Sequence, residues 1–101
     1  MLLLTTAGSS LQLVTTAAGS VKVHLSYVDK VSTTITGGQA NVAEITTATT
    51  TTLLSGASAT ERNVEFLSVR NDHGSTSNTV TLRHTDGTTI VPLFSCTLSA
   101  G

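Results

Sequence analysis

The feature that most constrains this chain is an alternation of period two between Ser20 and Val28. Val21, Val23, Leu25 and Tyr27 fall on one side, and Lys22, His24 and Ser26 on the other. Two residues per repeat is the period of a β-strand, whose successive side chains point to opposite faces. A strand with one apolar and one polar face belongs to an antiparallel sheet that covers a core on one side and meets water on the other. No stretch carries an apolar stripe at i, i+3, i+4 and i+7 over a useful length, so no helix is predicted.

The same period runs through most of the sequence. Leu11 and Leu13 alternate with Gln12, and the small residues 17–20 suggest a turn, so residues 10–28 read as a hairpin. Val31, Thr33 and Ile35 suggest a short strand ending in a turn at Gly37-Gly38. Residues 42–52 are rich in Thr, whose branched Cβ favours extended backbone, and read as one strand or two short ones. Residues 56–60 form a small-residue loop. Asn63 to Arg70 reads as a strand, and its change of phase between Phe66 and Leu67 signals a bulge or a strand buried on both faces. A polar loop spans 71–78. Thr79 to His84 and Thr88 to Leu98 flank Asp86-Gly87, a type I′ hairpin signal. Pro92 has no N–H to donate, which assigns it to an edge or a bulge. Residues 90, 94, 96 and 98 share a parity, so Cys96 is expected to face the core beside Ile90, Phe94 and Leu98. The expectation is an all-β chain: one antiparallel β-sandwich domain over residues 1–101, jelly-roll-like, with seven or eight strands.

Composition narrows the function classes. Charged residues make up 11% of 101 residues and the formal net charge is -1. Lys22, Lys30, Arg62, Arg70 and Arg83 are scattered and balanced by acids, which argues against nucleic-acid binding. Arg62 sits beside Glu61 and Glu65, its expected surface partners. The single Cys96 excludes a disulfide framework and a Cys-rich zinc site. No apolar run approaches the roughly 20 residues of a membrane-spanning helix. Residues 1–8 lack the basic start and apolar stretch of a signal peptide, so a first β-strand is expected there and folding in a cytoplasm.

No constellation points to catalysis. His24, His73 and His84 lack metal-ligand spacing, and Asp72-His73 lies in a loop of small polar residues. Those histidines read as structural or solvated. Cys96 in a core would be a small hydrophobe rather than a nucleophile. There is no G-x-S-x-G elbow and no glycine-rich phosphate loop. No enzyme activity, cofactor or metal is expected.

The core has little to build with. Only Tyr27, Phe66 and Phe94 bring aromatic bulk. Where neither disulfides nor metals are present, oligomerisation is a usual source of added stability, and open strand edges supply the means.

Several stretches resemble a group of small proteins encoded by tailed bacteriophages. They are residues 11–19 (LQLVTTAAG), 21–29 (VKVHLSYVD), 45–49 (ITTAT), 62–64 (RNV), 69–73 (VRNDH), 79–88 (TVTLRHTDGT) and the final LSAG. They are spread over nearly the whole chain, and the resemblance is a general family look. The resemblance implies a virion structural protein, made in the bacterial host cytoplasm. Chains of that group continue past the Leu-x-Ala-Gly segment with a turn and one more strand, whereas this sequence stops at Gly101. Without that strand an edge is open, and a neighbouring subunit could complete the sheet.

The expected function is that of a non-enzymatic, repeated subunit of a phage particle, as head decoration or as a neck or tail component. Its expected partners are copies of itself and capsid or tail proteins, with no nucleic acid and no membrane. Contact residues are expected at Leu2, Leu3, Leu4, Thr50, Thr52, Leu53 and Leu98, where apolar or Thr-rich sequence falls at termini and loops. The alternative is a receptor- or carbohydrate-binding module on the virion surface, using the loop from Asn71 to Asn78.

Overall fold

The computed structural model describes residues 2–4, 8–57 and 60–100. The described residues form eight strands and no helix: β1 (Leu2–Leu4), β2 (Ser10–Thr15), β3 (Val21–Val31), β4 (Thr34–Ile45), β5 (Thr50–Ser55), β6 (Glu61–Asn71), β7 (Asn78–Thr85) and β8 (Ile90–Leu98). They build two antiparallel sheets, one in the order β1-β6-β3-β4 and the other β5-β2-β7-β8. The pairs β3·β4, β2·β5 and β1·β6 are nested one inside the next, as in a rolled-up hairpin. The fold is a small β-sandwich.

The core lies between the sheets and is aliphatic. Leu11 and Leu13 of β2, Val21, Val23 and Leu25 of β3, and Leu53 and Leu54 of β5 are buried there. Leu4, Ile45, Val64 and Val80 complete it. The expected alternation of β3 is present, with Lys22 exposed and His24 half-buried between the core residues. Full burial of a Val, Leu or Ile side chain stabilises by about 1.5–3 kcal/mol, so this layer is the main favourable term. Phe66 and Phe94 do not join it, being 55% and 59% exposed, and Tyr27 packs only at its margin.

Residues 10–28 are not a hairpin. β2 pairs with β5 and β7, while β3 pairs with β4 and β6, so the chain crosses from one sheet to the other at 16–20. Buried Asn78 fixes that crossing: its Oδ1 accepts from the N–H of Thr16 and Ala17, and its Nδ2 donates to the Ala17 carbonyl. Period two marks each strand and its inner face but does not say which strands pair.

Nor do Gly37-Gly38 turn the chain. The turn is at Ser32-Thr33, between the paired Val31 and Thr34, and both glycines lie inside β4. Gly38 is opposite Tyr27, and a Cβ there would come within 2.5 Å of the Tyr27 ring. Gly38 therefore makes room for an aromatic side chain, whereas a Cβ on Gly37 would meet nothing within 4 Å.

The bulge in β6 is real and falls at Glu65, where the pairing passes from Tyr27↔Val64 to Ser26↔Phe66. That extra residue turns Phe66 outward while Val64, Leu67 and Val69 stay on the core side. β8 bulges too: Arg83 pairs with Pro92 and Leu82 with Phe94, on an edge strand, as the missing proline N–H requires. The β7–β8 turn is wider than a type I′ turn. Thr85 pairs with Ile90, and in the loop between them Gly87 has a positive φ and Asp86 does not. Asp86 Oδ1 instead accepts from the N–H groups of Thr88 and Thr89 at 2.8 and 2.7 Å. Those bonds favour the ionised carboxylate and lower its pKa.

Candidate assembly surface

One long flank of the sandwich is open, and strand lengths explain why. β3 pairs with β6 from Glu61 to Asn71, but β1 reaches only Arg62, Asn63 and Val64 on the other edge of β6. From Glu65 to Asn71 that edge has no partner strand among the described residues. β8 forms the matching edge of the second sheet.

Between these two rims runs an apolar trough. Its larger part, about 330 Å³, is lined by Leu67, Val69, Leu82, Phe94, Cys96 and Leu98 among others. A second part of about 280 Å³ shares Leu67 and Leu82 and is lined also by Glu65, Phe66 and Leu93. Ile90, Val91, Leu93 and Phe94 of β8 are all exposed. No charged residue occurs from Gly87 to Gly101. An exposed edge strand without charge is a template for association unless something blunts it. Here Pro92 and its bulge blunt one end.

The expected contact residues divide. Thr50 and Thr52 are exposed on β5, the other edge of the second sheet. Leu98 is half-buried at the end of the trough. Leu4 and Leu53 are core residues, at 0% and 5% exposure, and cannot serve as surface contacts in this fold. Apolar character alone does not separate a core leucine from a sticky one. Leu2 and Leu3 contribute backbone to β1, and their side chains lie outside the described residues. Phe66, Leu93 and Phe94 are exposed as well, and none of them is among the contacts expected from the sequence. The phase shift at Phe66 and the proline next to Leu93 were the signals that these side chains leave the core. Cys96 is half-buried in the trough rather than in a closed core.

The polar groups hold the fold. His73 Nδ1 accepts from the N–H of Ser75 and Thr76, and Asn71 Nδ2 donates to the carbonyls of Thr76 and Leu98, so these two side chains shape the 72–77 loop. Asp72 pairs with Lys22 at 2.9 Å and Arg70 at 3.4 Å, and the Lys22 hydrogen bond holds its pKa below the usual carboxylate range. His24 bonds Asn41. His84 Nε2 and Asn63 Oδ1 are buried without a hydrogen-bond partner among the described residues. Arg62 does not pair with Glu61 or Glu65. It makes two bonds to Asp29, at 2.8 and 2.9 Å, donates to the Ser55 carbonyl and stacks 4.7 Å above the Tyr27 ring. Asp29 and Tyr27 share the inner face of β3, so Arg62 finds them across the strand pair rather than next to it in sequence.

Among the described residues no three His, Cys, Asp or Glu side chains gather to hold a metal ion, and no helix is long and apolar enough to cross a membrane. The outer face of the first sheet carries a shallow cleft of about 450 Å³ lined by Lys22, His24, Asn41, Glu44, Ser68 and Arg70 among others. No protein-family model, curated protein or solved structure matches this chain.

Proposed function

We propose that this chain is a non-enzymatic structural subunit of a bacteriophage particle, repeated in the head decoration, neck or tail, and assembling through its β edges. The particle is inferred from the likeness of residues 11–19, 21–29, 45–49, 62–64, 69–73, 79–88 and 98–101 to small tailed-phage proteins. The assembly role is carried by one observation: the open flank between β6 and an uncharged β8, with Phe94 and Leu93 exposed. Exposed apolar surface of this kind marks an interaction site. Its partners on this reading are copies of itself and capsid or tail proteins. Light scattering of the purified protein and mass spectrometry of purified particles test the proposal. An oligomer present in stoichiometric amount in virions is the expected result, and a monomer absent from particles overturns it.

The outer cleft favours a second reading, a receptor- or carbohydrate-binding module. Lys22, His24, Asn41 and Arg70 offer hydrogen bonds to a saccharide there, beside Phe66, whose ring lies 6.3 Å from His24. Binding on a glycan array, lost in His24→Ala, would support it, and an array without hits would reject it.

A further inference from the structure

The two rims of the open flank are related in a way that selects their partner. β6 and β8 run in the same direction along the trough. At one end Phe66 and Leu67 line it with Leu93, and at the other the Asn71 amide donates to the Leu98 carbonyl at 3.1 Å. A two-fold axis perpendicular to the flank exchanges the rims and reverses their direction. It therefore sets β6 of one copy antiparallel to β8 of the other, twice.

We propose that a second copy of this chain closes the flank in this manner, forming a symmetric dimer in which both sheets continue from one copy into the next. This rests on the assembly reading above and names the edges that carry it. Backbone chemistry supports it, because the edge from Phe66 to Arg70, which no strand among the described residues pairs, presents N–H and C=O groups in the spacing that an added strand matches. Four residues paired in each of two ribbons, inner face to inner face, give about eight hydrogen bonds, within the usual range for a specific interface. Side chains support it too. Leu67 and Val69 of one copy meet Phe94, Cys96 and Leu98 of the other on the inner face, joining two half-open cores. Along this edge β6 carries Glu65 and Arg70, but β8 has no charge, so neither meets a like charge on the strand it faces. Pro92 falls outside the paired segment Phe94–Leu98, so its missing N–H costs nothing there. The arrangement is isologous and closes on itself, leaving β4 and β5 as the outer edges for contacts with other proteins.

The test uses the full chain. Ser68, Ser95 and Thr97 are exposed, and within one copy Ser68 faces outward from the first sheet while Ser95 faces outward from the second, bonded to Thr81. A disulfide between them can form only between copies. In a Cys96→Ser background, Ser68→Cys with Ser95→Cys, or with Thr97→Cys for the neighbouring register, is expected to give a covalent dimer on mild oxidation. Thr52→Cys in the same background is expected to give none. Light scattering of the unaltered protein should return twice the 10.3 kDa chain mass. Phe94→Lys, at an exposed position, should return a monomer with unchanged far-ultraviolet circular dichroism. A dimer that survives Phe94→Lys and cross-links only through Thr52→Cys overturns this interface and leaves the assembly reading standing. A monomer at every concentration, with no cross-link, overturns the interface, and its absence from particles as well overturns both.

Discussion

The Tyr27 ring lies against Gly38 across the β3·β4 pair, so closely that a Cβ on residue 38 would be 2.5 Å from the ring carbons. An aromatic side chain laid over a cross-strand glycine covers backbone that would otherwise face water. Gly38→Ala is expected to cost about 1–3 kcal/mol, the usual penalty for overpacking. In a Tyr27→Ser background the same change should cost far less, because nothing then occupies the space. A double-mutant cycle by urea denaturation measures the difference; equal costs in both backgrounds would show that the ring is not the cause.

The same ring carries Arg62 over it, bonded to Asp29 by two hydrogen bonds and to the Ser55 carbonyl of the opposite sheet. The Arg62 hydrogen bond lowers the Asp29 pKa. A carboxyl whose folded pKa lies below its unfolded value near 3.9 adds stability above that value and loses it as pH falls through the folded one. Asp29→Asn is therefore expected to cost about 1 kcal/mol at pH 7, a modest figure for a pair about one-fifth exposed. The gap from the unaltered protein should stay constant above about pH 5 and narrow toward pH 2. Denaturation midpoints across that range check the sign.

Strand count, the inner face of β3, the bulge in β6 and the edge position of Pro92 are all legible in the sequence, because each follows from period two or from the chemistry of one residue. Pairing is not legible. The short link from Thr15 to Val21 looks like a hairpin turn, but it spans the gap between sheets with help from Asn78, 61 residues away. The open flank is hidden for a related reason. Leu67, Val69 and Cys96 carry the parity of core residues, and they would be closed in if β1 were longer. That depends on where β1 pairs along β6, and a strand's length of contact cannot be read from its composition.

Ser32 adopts a φ of +56° in the β3–β4 turn, a conformation that L-residues with a Cβ occupy at a cost of about 1–2 kcal/mol. Glycine occupies it freely but gains disorder in the unfolded chain, which returns part of the benefit. Ser32→Gly is expected to stabilise the protein by about 0.5–1 kcal/mol, seen as a higher thermal midpoint in calorimetry. Ser32→Val, with a branched side chain at the same φ, should destabilise it.

Asn78 is 2% exposed and makes three hydrogen bonds to the crossing at Thr16 and Ala17. Replacing it with Ala leaves two N–H groups and a carbonyl without that partner, in a part-buried place where each unmet group is expensive. The expected cost is about 2–3 kcal/mol, within the range for buried donors and acceptors left unsatisfied. Asp at the same position keeps the acceptor for both N–H groups but turns a second oxygen toward the Ala17 carbonyl, so Asn78→Asp should recover only part of the loss. Amide exchange locates the effect: the Thr16 and Ala17 N–H groups should lose protection in Asn78→Ala and keep more of it in Asn78→Asp. Equal exchange in all three proteins would show that the crossing is held by strand pairing alone.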